Sequence, residues 1–138
     1  MTLLGSGEFT YSVSGKDWGE LPNGWIYQDS TGVAVDSKDN VYIINRGGHP
    51  IIVYDRSGKF LHSFGENTLI DPHGITIGPD DSVYCADTGN STIHKFTSGG
   101  ELLLSLGSEN CPSPAFSGQP FNLPTHVGIH PLTGNMYI

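Results

Sequence analysis

Two neighbouring segments of this 138-residue chain repeat the same residue pattern at one constant offset. The aligned pairs are 32–36 with 74–78, 40–43 with 82–85, Gly58 with Gly100, and Gly65 with Gly107. Every pair is 42 positions apart. A single offset kept over a whole unit is typical of a tandem array of one supersecondary module. The chain is therefore expected to fold by stacking similar modules rather than around one irregular core.

Each unit contains four short apolar runs separated by turn residues. Apolar runs bounded by Asp, Asn, Ser and Gly are typical of strands in packed sheets. The predicted strands are 32–35, 41–45, 51–54 and 60–64 in the first unit and 74–77, 83–86, 92–96 and 102–106 in the second. Four strands in about 40 residues make one blade of a β-propeller. We predict an all-β fold with blades at 32–65 and 74–107.

Both ends of the chain carry incomplete copies of the pattern. The third copy covers 127–138 and contains only the first two strands; Tyr137 aligns with Tyr84, so the Ser- and Pro-rich stretch 108–119 is an insertion. At the other end, residues 9–13 alternate like a fourth strand without the three strands that should precede it. We predict that 9–13 is an outer closing strand and that the chain holds about three blades, half of a six-bladed ring.

An open array leaves strand edges and apolar faces in water, where they pair with other chains. The sequence therefore predicts either a part of a longer protein or a chain that completes its ring by self-association. In the second case two copies of about three blades form a homodimer of six blades.

The charge balance restricts the possible partners. Six Lys and Arg residues against 14 Asp and Glu give a net charge of −8, which argues against nucleic acid and anionic membranes as partners. We find neither the roughly 20 apolar residues of a membrane span nor a signal peptide, and expect a soluble protein whose compartment the sequence does not indicate. Cys85 and Cys111 match no zinc module and are expected to be a buried thiol and a loop thiol.

Several motifs resemble those of a known family. Residues 32–61, with Gly-Val-Ala-Val-Asp, Asn-Val-Tyr-Ile and Tyr-Asp-Arg-Ser-Gly-Lys-Phe-Leu, resemble NHL repeats, and the similarity extends from about residue 30 to the end of the chain. The motifs at 45–50, 71–75 and 121–125 resemble successive blades of peptidyl-α-hydroxyglycine α-amidating lyase and its bacterial relatives. The predicted fold class is thus an NHL-type β-propeller.

The resemblance implies a six-bladed propeller that binds zinc through three axial histidines, holds calcium in its channel, and cleaves the N–Cα bond of a hydroxyglycine to give an amide and glyoxylate. It assigns His73 as a zinc ligand, Arg46 as the active-site arginine, and the backbone carbonyls of Val33 and Ile75 to calcium. The other two zinc histidines and the active-site tyrosine of the family belong to later segments. His126 departs from the pattern, because the relatives usually carry Asp there.

Residue chemistry alone leaves alternatives open at these positions. His73 precedes an innermost strand, where an imidazole can bind a divalent metal or form a hydrogen bond across the channel. A catalytic zinc needs about three protein ligands, so His73, with His126 as a weaker second candidate, supplies only part of a site. Arg46 can bind a carboxylate of the substrate or product or pair with a neighbouring Asp at the rim.

The remaining polar candidates are expected to have structural roles. We predict that His62 and His94 lie on the surface, that His49 shapes the loop before Pro50, and that His130 belongs to a turn. Asp87 is predicted to cap the backbone amides of its own turn.

Three functions fit the sequence. The first is a metal-dependent C–N lyase, with zinc and calcium as implied cofactors and a small molecule or peptide as ligand; this chain alone is expected to be inactive. The second is a non-catalytic NHL propeller that presents its loops to a protein or ligand. The third is a calcium-dependent sugar-lactone hydrolase, which the lack of an obvious acidic metal cluster disfavours.

Overall fold

The computed structural model describes residues 3–13, 15 and 17–138, and every regular element within them is a β-strand. The strands are β1 (Leu3–Ser6), β2 (Phe9–Ser12), β3 (Ser30–Val35), β4 (Val41–Asn45), β5 (Ile51–Tyr54), β6 (Phe60–Phe64), β7 (Pro72–Ile77), β8 (Val83–Asp87), β9 (Thr92–Phe96), β10 (Leu102–Leu106), β11 (Gly128–Ile129) and β12 (Met136–Tyr137). Over these residues the chain has no helix with the length and apolar character needed to cross a membrane.

Two four-stranded antiparallel sheets form the body of the molecule. In β3–β6 and again in β7–β10, each strand pairs with the next one along the chain. The sheets share one register, since Val33 pairs with Ile43 and, 42 positions later, Ile75 pairs with Cys85. β3 and β7 each begin two residues before the predicted start because pairing continues beyond a register irregularity. The prediction of an all-β fold built from blade-like sheets is confirmed.

The two sheets pack face to face. Successive side chains of a strand point to opposite faces, so Tyr42 and Ile44 of β4 belong to one core with Val83 and Cys85 of β8. The buried members of this core are Tyr42, Ile44, Ile51, Val53, Phe64, Leu69, Ile75, Val83, Cys85 and Phe96. Burial raises the pKa of the Cys85 thiol. Cys85 is buried and Cys111 is exposed, as predicted.

The opposite face of the second sheet carries the third unit. Tyr84, Ala86 and Ile93 pack there against Val127, which immediately precedes β11. β11 pairs with β12 through Gly128 and Tyr137. The third unit therefore stacks on the second sheet much as the second sheet stacks on the first.

The N-terminal strands form a hairpin of their own. β1 pairs only with β2, from Leu3 with Ser12 to Ser6 with Phe9. All eight of their residues are exposed. β2 corresponds to the outer strand predicted at 9–13, whereas its pairing with β1 was not predicted. Its role in closing a ring stays a prediction.

Candidate functional site

The innermost strands of the three units lie side by side and form one cleft. The Thr31 hydroxyl donates to the Pro72 carbonyl at 3.2 Å, and the Thr76 hydroxyl donates to the Val127 carbonyl at 2.5 Å. The cleft has a volume of about 230 Å³. Its lining residues are Thr31, Gly32, Val33, His73, Gly74, Ile75, Thr125 and His126. Four of the predicted site residues therefore share one depression: Val33, His73, Ile75 and His126.

The ring of His73 is held in one orientation. Its Nδ1 lies 3.1 Å from the carbonyl oxygen of Thr125 in the third unit. A carbonyl oxygen only accepts, so Nδ1 carries the hydrogen and donates it. In the neutral ring Nε2 then keeps its lone pair, which is the usual state of a metal-ligating histidine. Half-buried His73 thus fits the chemistry of one metal ligand, and its hydrogen bond joins the second and third units.

His126 approaches the same cleft from the third unit because position 74 is a glycine. A Cβ atom on Gly74 would lie 2.7 Å from Nδ1 of His126 and would overlap the Thr125 carbonyl oxygen. Only a residue without a side chain allows the two backbones to come this close. His126 is exposed at the cleft. Among the residues that the structure describes, no three His, Cys, Asp or Glu side chains are grouped closely enough to hold a metal ion.

Val33 and Ile75 occupy equivalent positions on β3 and β7 but differ in exposure. The side chain of Ile75 is 4% exposed because the first sheet packs on it, whereas Val33 is 65% exposed. The role of their backbone carbonyls toward calcium stays a prediction.

Arg46 follows β4 and reaches the start of the next sheet. Its backbone N–H donates to the Asp29 carbonyl at 2.9 Å. Its side-chain Nε lies 2.7 Å from Oδ1 of Asp71 and 3.3 Å from the carbonyl oxygen of Pro72. The predicted pairing with a rim aspartate is therefore present. Because Pro72 precedes His73, these contacts also bring Arg46 to the end of β7 that carries the candidate ligand.

Asp87 fixes the loop that leads into β7. Its buried carboxylate accepts hydrogen bonds from the backbone N–H groups of Ile70 at 2.6 Å, Asp71 at 2.9 Å and Gly89 at 2.9 Å. The contact with Gly89 confirms the predicted cap within its own turn. The contacts with residues 70 and 71 were not predicted. They hold in place Asp71, which pairs with Arg46, and the loop that leads to His73.

The prediction that His94 lies on the surface is wrong. Its side chain is fully buried on β9, with Nδ1 2.8 Å from the hydroxyl of Ser105 and Nε2 2.7 Å from the hydroxyl of Thr92. Thr92 in turn donates to the side chain of Asn90. β9 pairs on both sides, with β8 and β10, and its even-numbered residues face the first sheet. Burial lowers the pKa of His94, although the charges of Asp87 and Glu109 act in the opposite direction.

The other histidines contact neighbouring loops, turns and side chains outside the cleft. His49 stacks on the Trp25 ring and pairs with Glu66, and Nδ1 of His130 accepts the backbone N–H groups of its own turn, as expected of a turn residue. His62 is partly exposed and contacts the carbonyl oxygen of Ser98 at 3.1 Å.

Comparisons with known proteins agree with this architecture. The family model described as NHL repeat matches residues 69–96, which run through β7, β8 and β9. Virginiamycin B lyase from Staphylococcus aureus superimposes with a TM-score of 0.57 at 18% identity, over 78% of this chain and 33% of that chain. A streptogramin B lyase structure gives 0.52 at 17% identity, over 86% and 33%. A protein of unknown function from Bacteroides caccae gives 0.54 at 13% identity, over 78% and 37%.

The fold is that of consecutive β-propeller blades. At these identities the structural likeness concerns the fold alone. The chain spans about a third of the length of the solved structures that it matches. No curated protein matches the sequence.

Proposed function

We propose that these blades belong to a metal-dependent lyase of the propeller type, which cleaves a C–N bond as the amidating lyases do. The observation that carries the proposal is the Nδ1 hydrogen bond from His73 to Thr125, which leaves the lone pair of Nε2 available to a metal. Two of the structurally similar proteins are also lyases, of virginiamycin B and of streptogramin B. The amidating reaction itself is proposed only because the motifs around Arg46 and His73 resemble those of the amidating lyases.

In this proposal the residues of the chain have separate tasks. His73, with His126 as a weaker candidate, would hold zinc, and the remaining ligands would come from other blades of the ring. Zinc bound there would supply Lewis-acid polarisation of the substrate hydroxyl. Arg46 is anchored by Asp71 through Nε, and its planar guanidinium would orient the carboxylate of a hydroxyglycine-type substrate with its other N–H groups. The carbonyls of Val33 and Ile75 would face calcium.

Zinc binding tests the proposal without requiring turnover. Isothermal titration of zinc into a complete ring that contains these blades is expected to detect binding that His73→Ala removes and that His130→Ala preserves, because His130 lies in an exposed turn outside the cleft lining. Glyoxylate release from a peptidyl-α-hydroxyglycine is the assay for the activity of a complete ring, and Arg46→Ala should lower it. Zinc binding that is absent, or equal in the wild type and His73→Ala, contradicts the proposal.

A non-catalytic propeller scaffold is the second candidate. It is favoured by the structural pairing of Arg46 with Asp71. A scaffold would bind its protein or ligand equally well after His73→Ala and Arg46→Ala. Affinity measurements with the two variants therefore separate the two candidates.

A further inference from the structure

A relay of hydrogen-bonded side chains runs through the second sheet and ends on its outer strand. The Thr92 hydroxyl donates to Oδ1 of Asn90, and its oxygen lies 2.7 Å from Nε2 of His94. On the other side of the imidazole ring, Nδ1 lies 2.8 Å from the hydroxyl of Ser105 on β10. Asn90, Thr92 and His94 are buried, whereas Ser105 is exposed. The relay therefore joins a buried imidazole to the hydroxyl of a surface residue.

The hydrogen positions in this relay follow from the amide oxygen of Asn90. An amide oxygen only accepts, so the single hydroxyl hydrogen of Thr92 goes to Asn90. The Thr92 oxygen can then only accept from His94, so Nε2 carries the ring hydrogen. Burial lowers the pKa of His94, which keeps the ring neutral at pH 7. Nδ1 therefore keeps its lone pair and accepts the hydroxyl hydrogen of Ser105.

The internal repeat shows that the sheet itself does not require this relay. In the first sheet, 42 positions earlier, its three buried members are replaced by Gly48, Pro50 and Ile52. Ile52 pairs with Ser63 in the register in which His94 pairs with Ser105, and Ile52 is fully buried. Ser63 donates to the carboxylate of Glu66 at 3.0 Å. Because an apolar residue serves the same sheet, the imidazole beside Ser105 adds chemistry that packing does not need.

The surroundings of Ser105 supply the other parts of an acyl-transfer site. In the described part of the chain β10 is the edge strand of its sheet, so every second backbone N–H of β10 points away from β9. Such N–H groups are the donors that stabilise an oxyanion. Leu103 and Leu104, just before Ser105, are 50% and 43% exposed and offer apolar surface to an acyl chain. Nucleophile, base and orienting group thus stand in the order that covalent catalysis uses.

We propose that Ser105 is a nucleophile activated by His94 as its general base, and that it accepts the acyl group of esters with an apolar acyl chain. Oγ of Ser105 bonds to the ester carbonyl carbon while Nδ1 of His94 takes the hydroxyl proton. The C–O bond to the alcohol then breaks, and the alcohol leaves with this proton. Water, which gives a proton to the same nitrogen, hydrolyses the acyl-serine to a carboxylic acid and restores Ser105. This reaction uses no metal and none of the residues that line the cleft.

Labelling with a fluorophosphonate tests this inference in a complete ring that contains these blades. The reagent forms an O–P bond with an activated serine and releases fluoride, and peptide mass spectrometry locates the adduct. We expect the adduct on Ser105, and labelling about a hundredfold slower in His94→Gln. Ser63→Ala is the matched control and should leave labelling unchanged, because the Ser63 hydroxyl bonds a carboxylate instead of an imidazole. Release of p-nitrophenol from p-nitrophenyl butyrate, with a chelator present, should fall about a hundredfold in Ser105→Ala.

A thiol at the same position tests the base while His94 stays in place. In Ser105→Cys the thiol proton can pass to Nδ1, and the thiolate is the reactive form, so iodoacetamide should alkylate position 105 about tenfold faster than position 63 in Ser63→Cys. Equal rates overturn the proposal, also when His94→Gln fails to fold. A wild type without an adduct on Ser105 overturns it as well. So does labelling or ester hydrolysis that is unchanged in the folded His94→Gln variant, because the serine then reacts without the base.

Discussion

Asp87 is the residue whose replacement should disturb the candidate site most without touching it. Its carboxylate is fully buried and accepts three backbone N–H groups, two of them from the loop at residues 70 and 71 that carries the partner of Arg46. Asp87→Ala removes both acceptor oxygens and so all three hydrogen bonds at once. The N–H groups of Ile70 and Asp71 then lose their partner in a part-buried position.

The size of the effect follows from these contacts. A hydrogen bond to a charged group contributes roughly 1.5–3 kcal/mol, and the three share one carboxylate and are not additive. We expect Asp87→Ala to lower the free energy of unfolding by about 3 to 5 kcal/mol, a large part of the roughly 5–15 kcal/mol that stabilises a domain. Asp87→Asn keeps one acceptor oxygen, as Asn45 does toward the Gln28 N–H in the first sheet, and should cost about 1 to 3 kcal/mol.

Urea unfolding followed by tryptophan fluorescence measures these differences. Asp55→Ala is the matched control, because Asp55 also accepts three hydrogen bonds in its turn but is only partly buried, so its loss should shift the midpoint only slightly. Asp87→Ala should also increase hydrogen exchange at residues 70 and 71. A shift no larger than that of Asp55→Ala would refute the claim that this carboxylate holds the loop.

Two further predictions concern His94 and Gly74. Burial lowers the pKa of His94, so near pH 6.5 the unfolded chain binds a proton that the folded chain does not. The free energy of unfolding should therefore be highest above that pH and decrease below it. The urea midpoint of His94→Gln should depend less on pH between 7.5 and 5.5 than that of the wild type. Gly74→Ala places a methyl group against Thr125 and His126. It should lower the free energy of unfolding by roughly 1–3 kcal/mol and speed amide hydrogen exchange in β11 and β12. Gly128→Ala is the control, because a Cβ there meets nothing within 4 Å, and equal effects of the two substitutions would contradict this account.

The strands were predictable because local patterns determine them, and contacts between strands were not. Turn residues and apolar runs locate β5, β6, β9 and β10 to the residue. The burial of His94 depends on the sheet that packs on its face and on Thr92 and Ser105 beside it, which a single strand does not reveal. One signal was available: His94 is the repeat equivalent of Ile52, which is fully buried.

The candidate site lies where the repeats differ. Thr31 and His73 are equivalent in the repeat, as are Arg46 and Thr88. Both 46 and 88 donate their backbone N–H to an equivalent aspartate carbonyl, that of Asp29 or Asp71, so this contact belongs to the repeated fold. The side chains then diverge: Thr88 bonds Asp71 within its own blade, whereas Arg46 reaches the same aspartate from the preceding blade. Identical units would line the cleft with identical side chains, whereas here the differences between units bring Arg46 and His73 to the same end of β7.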